Sequence, residues 1–137
     1  MLLEESLIEL ERFCYKAWRA YAKEDPLCHL SFNEFDYLKA IQQHPSGVRI
    51  TDLAQDLNVT KPSASNMVAR LEKKGLVRCI ACMEDARAKL VVLTETVIKD
   101  MSLELVVYQQ IATDLNKNLS PQEAEQLVLL LNKAINK

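Results

Sequence analysis

The sixteen residues from Thr60 to Gly75, TKPSASNMVARLEKKG, constrain the fold of this chain most. Thr60 is a good N-cap, Pro62 is tolerated in a first helical turn, and Gly75 can adopt the left-handed conformation that ends a helix. With both ends marked, the stretch predicts one helix of about four turns. On a wheel of about 100° per residue, Ala64, Met67, Val68 and Leu71 share one face, and Pro62, Asn66, Ala69, Arg70 and Lys73 share the other. The first face is core. The second is small or amide-bearing at its centre and carries Lys61, Ser63, Ser65 and Arg70 at its edges. Short side chains let a backbone approach a surface closely. Asn pairs with adenine and Arg with guanine, and Ser or Lys can hold phosphate oxygens. A helix laid in a DNA major groove needs this chemistry, although an amphipathic helix with an ordinary polar outside also has such a face.

The flanking residues favour the DNA reading. Ile50 to Val59 predicts a short helix with Leu53, Ala54 and Leu57 inward, joined to the next through Asn58-Val59-Thr60. Two short helices joined this tightly form a helix-turn-helix, whose second member reads DNA. Beyond Gly75, Leu76–Ile80 and Ala88–Leu93 are rich in β-formers and are separated by the polar run Met83–Arg87. They read as a hairpin, the wing of a winged helix. Val48–Ile50 adds a short strand beside it.

This order of elements, with LAQDLNVTKPSASNMVARLEKKGLV, then DARAKLVVLT, then LSPQEAEQLVLLL, resembles the MarR family of bacterial transcriptional regulators from about Ser31 to the C-terminus. The resemblance implies a homodimeric winged-helix protein that binds pseudo-palindromic double-stranded DNA and is released by a small molecule or by oxidation. In that family the wing carries an Asp-x-Arg signature whose arginine enters the minor groove, matched here by Asp85 and Arg87. Many members have a further arginine between those two and an aspartate earlier in the wing tip, where this chain has Ala86 and Cys82. The fold expected is mainly α with a small β-hairpin wing. Residues 31–94 form the winged helix-turn-helix, and residues 1–25 and 95–137 supply dimerisation helices. In the DNA complex, Asn66 and Arg70 read base edges, Lys61, Ser63, Ser65 and Lys73 hold phosphates, and Arg87 with Lys89 serve the wing.

Residue spacing supports the terminal helices independently. From Met1 to about Lys23, Leu3, Leu7, Leu10, Cys14, Ala17 and Tyr21 make a narrow seam suited to a partner helix. Ser31 to Ile41 opens with a capping box of Ser31 and Glu34 and buries Phe32, Phe35, Leu38 and Ile41. From Glu95 to Leu119, Ile98, Met101, Leu105, Tyr108, Ala112, Leu115 and Leu119 repeat the heptad seam. Ser120-Pro121-Gln122-Glu123 caps a last helix with Leu127, Leu131 and Ala134 inward.

The net charge is −2, but it is unevenly spread. Val48 to Thr94 holds eight Lys/Arg against five Asp/Glu, and the rest holds nine against fourteen. A basic middle on an acidic body is the footprint of a local polyanion contact. With no apolar run near 20 residues and no N-terminal signal pattern, a cytoplasmic protein that does not enter the membrane is expected.

Two histidines, His29 and His44, two glycines, and no phosphate loop, metalloprotease helix or nucleophile elbow argue against an enzyme, a cofactor or a metal site. Cys79-Ile80-Ala81-Cys82 is a CxxC, read mainly as inert thiols in and beside a strand, with a redox pair as the other reading. Cys14, in FCYKAW, is similar to the reactive first-helix cysteine of the family's peroxide-sensing branch, and is a candidate redox sensor as well as a candidate core residue. In that branch tyrosines near the start of the second helix activate the thiol, where this chain has Phe32 and Phe35. A regulator of this kind implies an effector pocket between the dimer helices and the winged domain, with Tyr15, Trp18, Phe35 and Tyr37 as lining for a small aromatic effector. The competing function is a winged-helix protein-interaction module, which would expose large apolar groups where this helix shows Asn66, Ala69, Arg70 and Lys73.

Overall fold

The computed structural model describes residues 1–22, 26–27, 29–85 and 87–136. Its elements are α1 (Leu3–Tyr21), α2 (Phe32–Gln42), β1 (Val48–Arg49), α3 (Ile50–Leu57), α4 (Lys61–Lys73), β2 (Val77–Ala81), β3 (Lys89–Leu93), α5 (Glu95–Asn116) and α6 (Pro121–Ala134). They divide into two compact units, residues 25–102 and residues 1–24 with 103–137.

The 25–102 unit is a winged helix. Ser31 closes a capping box with Glu34 at the start of α2, as their spacing predicts. Asn58 takes the left-handed conformation, φ 59°, and so ends α3 within one residue, leaving Val59 to lead into the Thr60 cap of α4. Gly75 does the same after α4 at φ 76°. The sheet is antiparallel in the order β1-β3-β2, with Val91 of β3 opposite both Val48 and Cys79. Gly47 enters it at φ 109°, and a Cβ there would lie 2.7 Å from the Leu90 Cβ, so both conformation and space demand glycine. Leu38, Ile41, Leu53, Leu71, Val77, Val91 and Val97 are the largest fully enclosed side chains of the core. All four residues assigned to the inner face of α4, Ala64, Met67, Val68 and Leu71, are buried.

Phe32 departs from expectation. It is 88% exposed, because the buried stripe of α2 runs through Glu34, Tyr37, Leu38 and Ile41, and Phe32 lies two residues, more than half a turn, off that stripe. A carboxylate thus occupies a position that apolar patterning would give to a hydrophobe.

The second unit holds α1, the later part of α5 and α6. Ala17, Val107 and Ile111 are its buried centre, flanked by Phe13, Cys14, Trp18 and Leu115. The Trp18 and Tyr108 rings meet edge to face, their centroids 5.5 Å apart. On α5 the buried stripe is Val97, Met101, Glu104, Val107 and Ile111, whereas Ile98, Leu105 and Tyr108 of the expected seam are exposed. Two apolar stripes lie side by side on this helix, and heptad spacing alone does not rank them. No residue of α6 is buried, contrary to the inward placement of Leu127, Leu131 and Ala134. Leu127 to Leu131 are five consecutive apolar residues that point in every direction around the helix, so its sequence defines no single inner stripe. Among the described residues no helix is long and apolar enough to cross a membrane.

Candidate nucleic-acid interface

Helix α4 presents Lys61, Pro62, Ser63, Asn66, Ala69, Arg70 and Lys73 outward, with Ser65 half-buried at the margin. Its first turn is fixed by Thr60. The Thr60 Oγ1 accepts from the Ser63 backbone N–H at 3.2 Å and donates to the Ser63 Oγ at 2.9 Å. Because the Ser63 oxygen is already accepting, its own proton is available to a phosphate. Asn66 and Ala69 leave the middle of the helix thin enough for close approach to a groove.

A cleft of about 360 Å³ opens beside the start of α4. Arg49, Ile50, Thr51, Lys61, Asp85, Arg87, Ala88 and Lys89 line it, drawn from β1, α3, α4 and the wing. Four cations against one carboxylate make this a polyanion-attracting concavity. Asp85 holds the wing tip together by accepting from the Arg87 backbone N–H at 3.0 Å. The contrast drawn at Ala86 lies outside the described residues. Arg49 and Thr51 were not among the residues singled out from sequence. Their signal was available, since Arg49 is the cation immediately before α3 in the basic middle of the chain.

Behind the exposed face lies a contact that sequence gave no hint of. Glu34 on α2 is buried and meets Lys74, at the end of α4, with its Oε2 2.6 Å from Nζ. The same oxygen is 3.7 Å from the Arg70 Nε, and the Glu34 Oε1 accepts from the Ser31 backbone N–H at 3.1 Å. Arg70 also donates from Nη2 to the Met67 sulfur at 3.2 Å, and its side chain remains about half exposed. The Lys74 ammonium, and then the Ser31 N–H, hold the Glu34 carboxyl at about 2 against an ordinary 4.5, outweighing the opposing effect of burial. A depressed folded value means that the ion pair stabilises the fold above pH ~4.5 and that this stabilisation drains as pH falls towards ~2. The stability difference between wild type and Glu34→Gln, from urea midpoints at pH 7, 4.5 and 3, is therefore expected to be largest at pH 7 and to shrink with acid. A difference independent of pH would contradict the pairing.

Among the described residues Cys14, Cys79 and Cys82 are free thiols. Burial, with Glu72 adding to it, pushes the Cys79 thiol up. The backbone N–H groups of Glu84 and Asp85 pull the Cys82 thiol down, and the Arg49 Nη2 lies 3.8 Å from its sulfur. The two halves of the CxxC thus occupy opposite environments. Cys14 is half-buried beside Phe13 and Trp18. Of the aromatic candidates, Tyr15 is exposed and donates to Glu11, which raises its phenol. Trp18 packs on Tyr108, Phe35 lies under the Lys39 ammonium at 5.4 Å, and Tyr37 is buried in the core of the 25–102 unit. Cys28 lies outside the described residues.

The MarR family model matches residues 30–89, the segment from α2 to the start of β3. The fold is similar to solved structures over almost its full length. Staphylococcus aureus MepR in complex with DNA superposes with a TM-score of 0.68 at 22% identity, covering 99% of this chain and 98% of that one. MepR bound to ethidium bromide gives 0.72 at 21% identity, covering 99% and 96%. Wild-type apo MarR from E. coli gives 0.66 at 24% identity, covering 98% and 97%.

Proposed function

We propose that this chain, whose residues 30–89 match the MarR family model, is a sequence-specific DNA-binding transcriptional regulator of that family that acts in the cytoplasm as a homodimeric repressor. The observation that carries the reading is the juxtaposition of a thin polar helix face, Asn66 and Ala69, with the basic cleft of Arg49, Lys61, Arg87 and Lys89. Two such faces, related by a dimer axis, enter successive major grooves of a pseudo-palindromic operator about one helical turn apart. Asn66 and Arg70 read base edges. Lys61, Ser63, Ser65 and Lys73 hold phosphates, Arg49 and Thr51 join them on the cleft wall, and Arg87 with Lys89 follow the backbone into the minor groove.

The solved MepR complexes with DNA and with ethidium bromide support both a DNA partner and a small aromatic effector. Effector binding, or oxidation of Cys14, changes the spacing of the two winged domains and breaks their register with the operator. The exposed face of α4 also separates this reading from a protein-docking winged helix, because large apolar groups are missing from it.

Substitution divides base reading from phosphate holding. Asn66→Ala is expected to weaken operator binding by about 1–3 kcal/mol while leaving random DNA nearly unaffected. Lys73→Ala weakens both alike and lowers the salt slope by about one phosphate. Fluorescence-anisotropy titrations on the two DNAs check this. An equal loss on both DNAs for Asn66→Ala would remove it from the base-reading set.

A further inference from the structure

We propose that Glu34 is a specificity-determining positioning residue, holding the Arg70 guanidinium from behind so that its outer edge faces a base. The inference rests on the base-reading role given to Arg70 above. Three observations carry it. Glu34 is the one acid in the buried stripe of α2, and the capping box fixes it at both ends: its Oε1 accepts from the Ser31 backbone N–H, and its own backbone N–H donates to the Ser31 Oγ. Its Oε2 faces Lys74 and the Nε of Arg70, two cations one helical turn apart on α4. Among the described residues the other polar contact of Arg70 is a donation from Nη2 to the weakly accepting Met67 sulfur.

An arginine approached at Nε, with one Nη2 proton on the Met67 sulfur, keeps Nη1 and the second Nη2 proton for a bidentate acceptor pair such as guanine O6 and N7. The contact therefore orients the side chain without using the edge that reads. An arginine with no such support samples many rotamers and must be ordered when DNA binds, a cost that falls on the cognate base and not on phosphate contacts. Glu34 cannot touch DNA from its buried position, so its effect passes through Arg70.

The experiment uses full-length protein and an operator selected by wild type from a random-sequence library. Affinities are measured for that operator and for every single-base substitution of it, with wild type, Glu34→Gln, Arg70→Lys and the double variant. Gln can still close the capping box, and thermal melting verifies that each variant folds. If Glu34→Gln proves unstable, Glu34→Asp, which keeps the charge but shortens the reach, takes its place.

Glu34→Gln is expected to lose about three- to ten-fold in discrimination at the base pair where Arg70→Lys also loses it. The two effects should be non-additive in the double variant, and the salt slope should be unchanged. A uniform loss at all positions, or full discrimination retained, would overturn the positioning role while leaving Arg70 as a reader. Discrimination unaffected by Arg70→Lys at every position would overturn the base-reading role of Arg70 and the positioning role with it.

Discussion

Leu71→Ala is expected to lower the free energy of unfolding by about 2–5 kcal/mol, a large part of the roughly 5–15 kcal/mol that holds a domain of this kind together. Leu71 is fully buried in the core of the 25–102 unit, in the last turn of α4. Truncation removes the transfer free energy of its side chain and leaves a cavity among residues that are themselves packed. The loss would also blunt DNA binding, because the inner face of α4 is what holds its outer face in place. Urea unfolding followed by circular dichroism reads the change, with Asn66→Ala as an exposed control on the same helix, expected within about 0.5 kcal/mol of wild type. A loss below about 1 kcal/mol for Leu71→Ala would mean that the helix is not seated as described.

The second large effect concerns the apolar surface of α1 and α6. Leu3, Leu7, Ile8 and Leu10 on α1, and Leu127 to Leu131 with Ile135 on α6, are all more than a third exposed in the single chain. Exposed apolar surface on this scale marks an interaction site, and the heptad spacing of α1 favours another helix as its occupant. Each leucine buried there is worth about 1.5–3 kcal/mol, and a carboxylate in its place would have to be desolvated against the partner. The Leu127→Glu, Leu131→Glu double variant is therefore expected to sediment as a monomer at micromolar concentrations where wild type is expected to sediment as a dimer. Its operator affinity should fall by orders of magnitude, since one half-site contact is then lost. Wild type sedimenting as a monomer would contradict the dimer.

Much of this architecture was legible because the chain marks its own helix ends. Thr60, Ser31 with Glu34, and Ser120 with Glu123 all cap as their local spacing says they should, because capping depends on residues three apart and on nothing distant. The hairpin followed from two β-rich runs with a polar connection, and β1 from its position beside them. What sequence could not rank was which of several apolar stripes faces inward. On α5 the stripe through Val97 and Met101 is buried in place of the one through Ile98 and Leu105, a choice made by tertiary partners. Phe32 shows the converse, a large hydrophobe left outside because Glu34 found two cations 36 and 40 residues away along the chain. The same long-range pairing changes the environment of Arg70, which wheel geometry alone presented as an unengaged outer residue. At the cleft, the charge of Arg49 is visible in the basic middle of the chain, but its neighbourhood, and that of Thr51, is not: they meet Lys61, Arg87 and Lys89 only in the folded cleft.

Specific DNA binding by this fold is read from the affinity of the purified wild-type protein for DNA from its own promoter region and for random DNA over a range of salt concentrations. The expected result is a preference of about 10³-fold or more for the promoter DNA, and an affinity falling linearly in log–log form with a slope of about −0.9 per phosphate neutralised. A folded dimer that binds neither DNA at low salt would contradict it and would leave the winged helix as a protein-docking module.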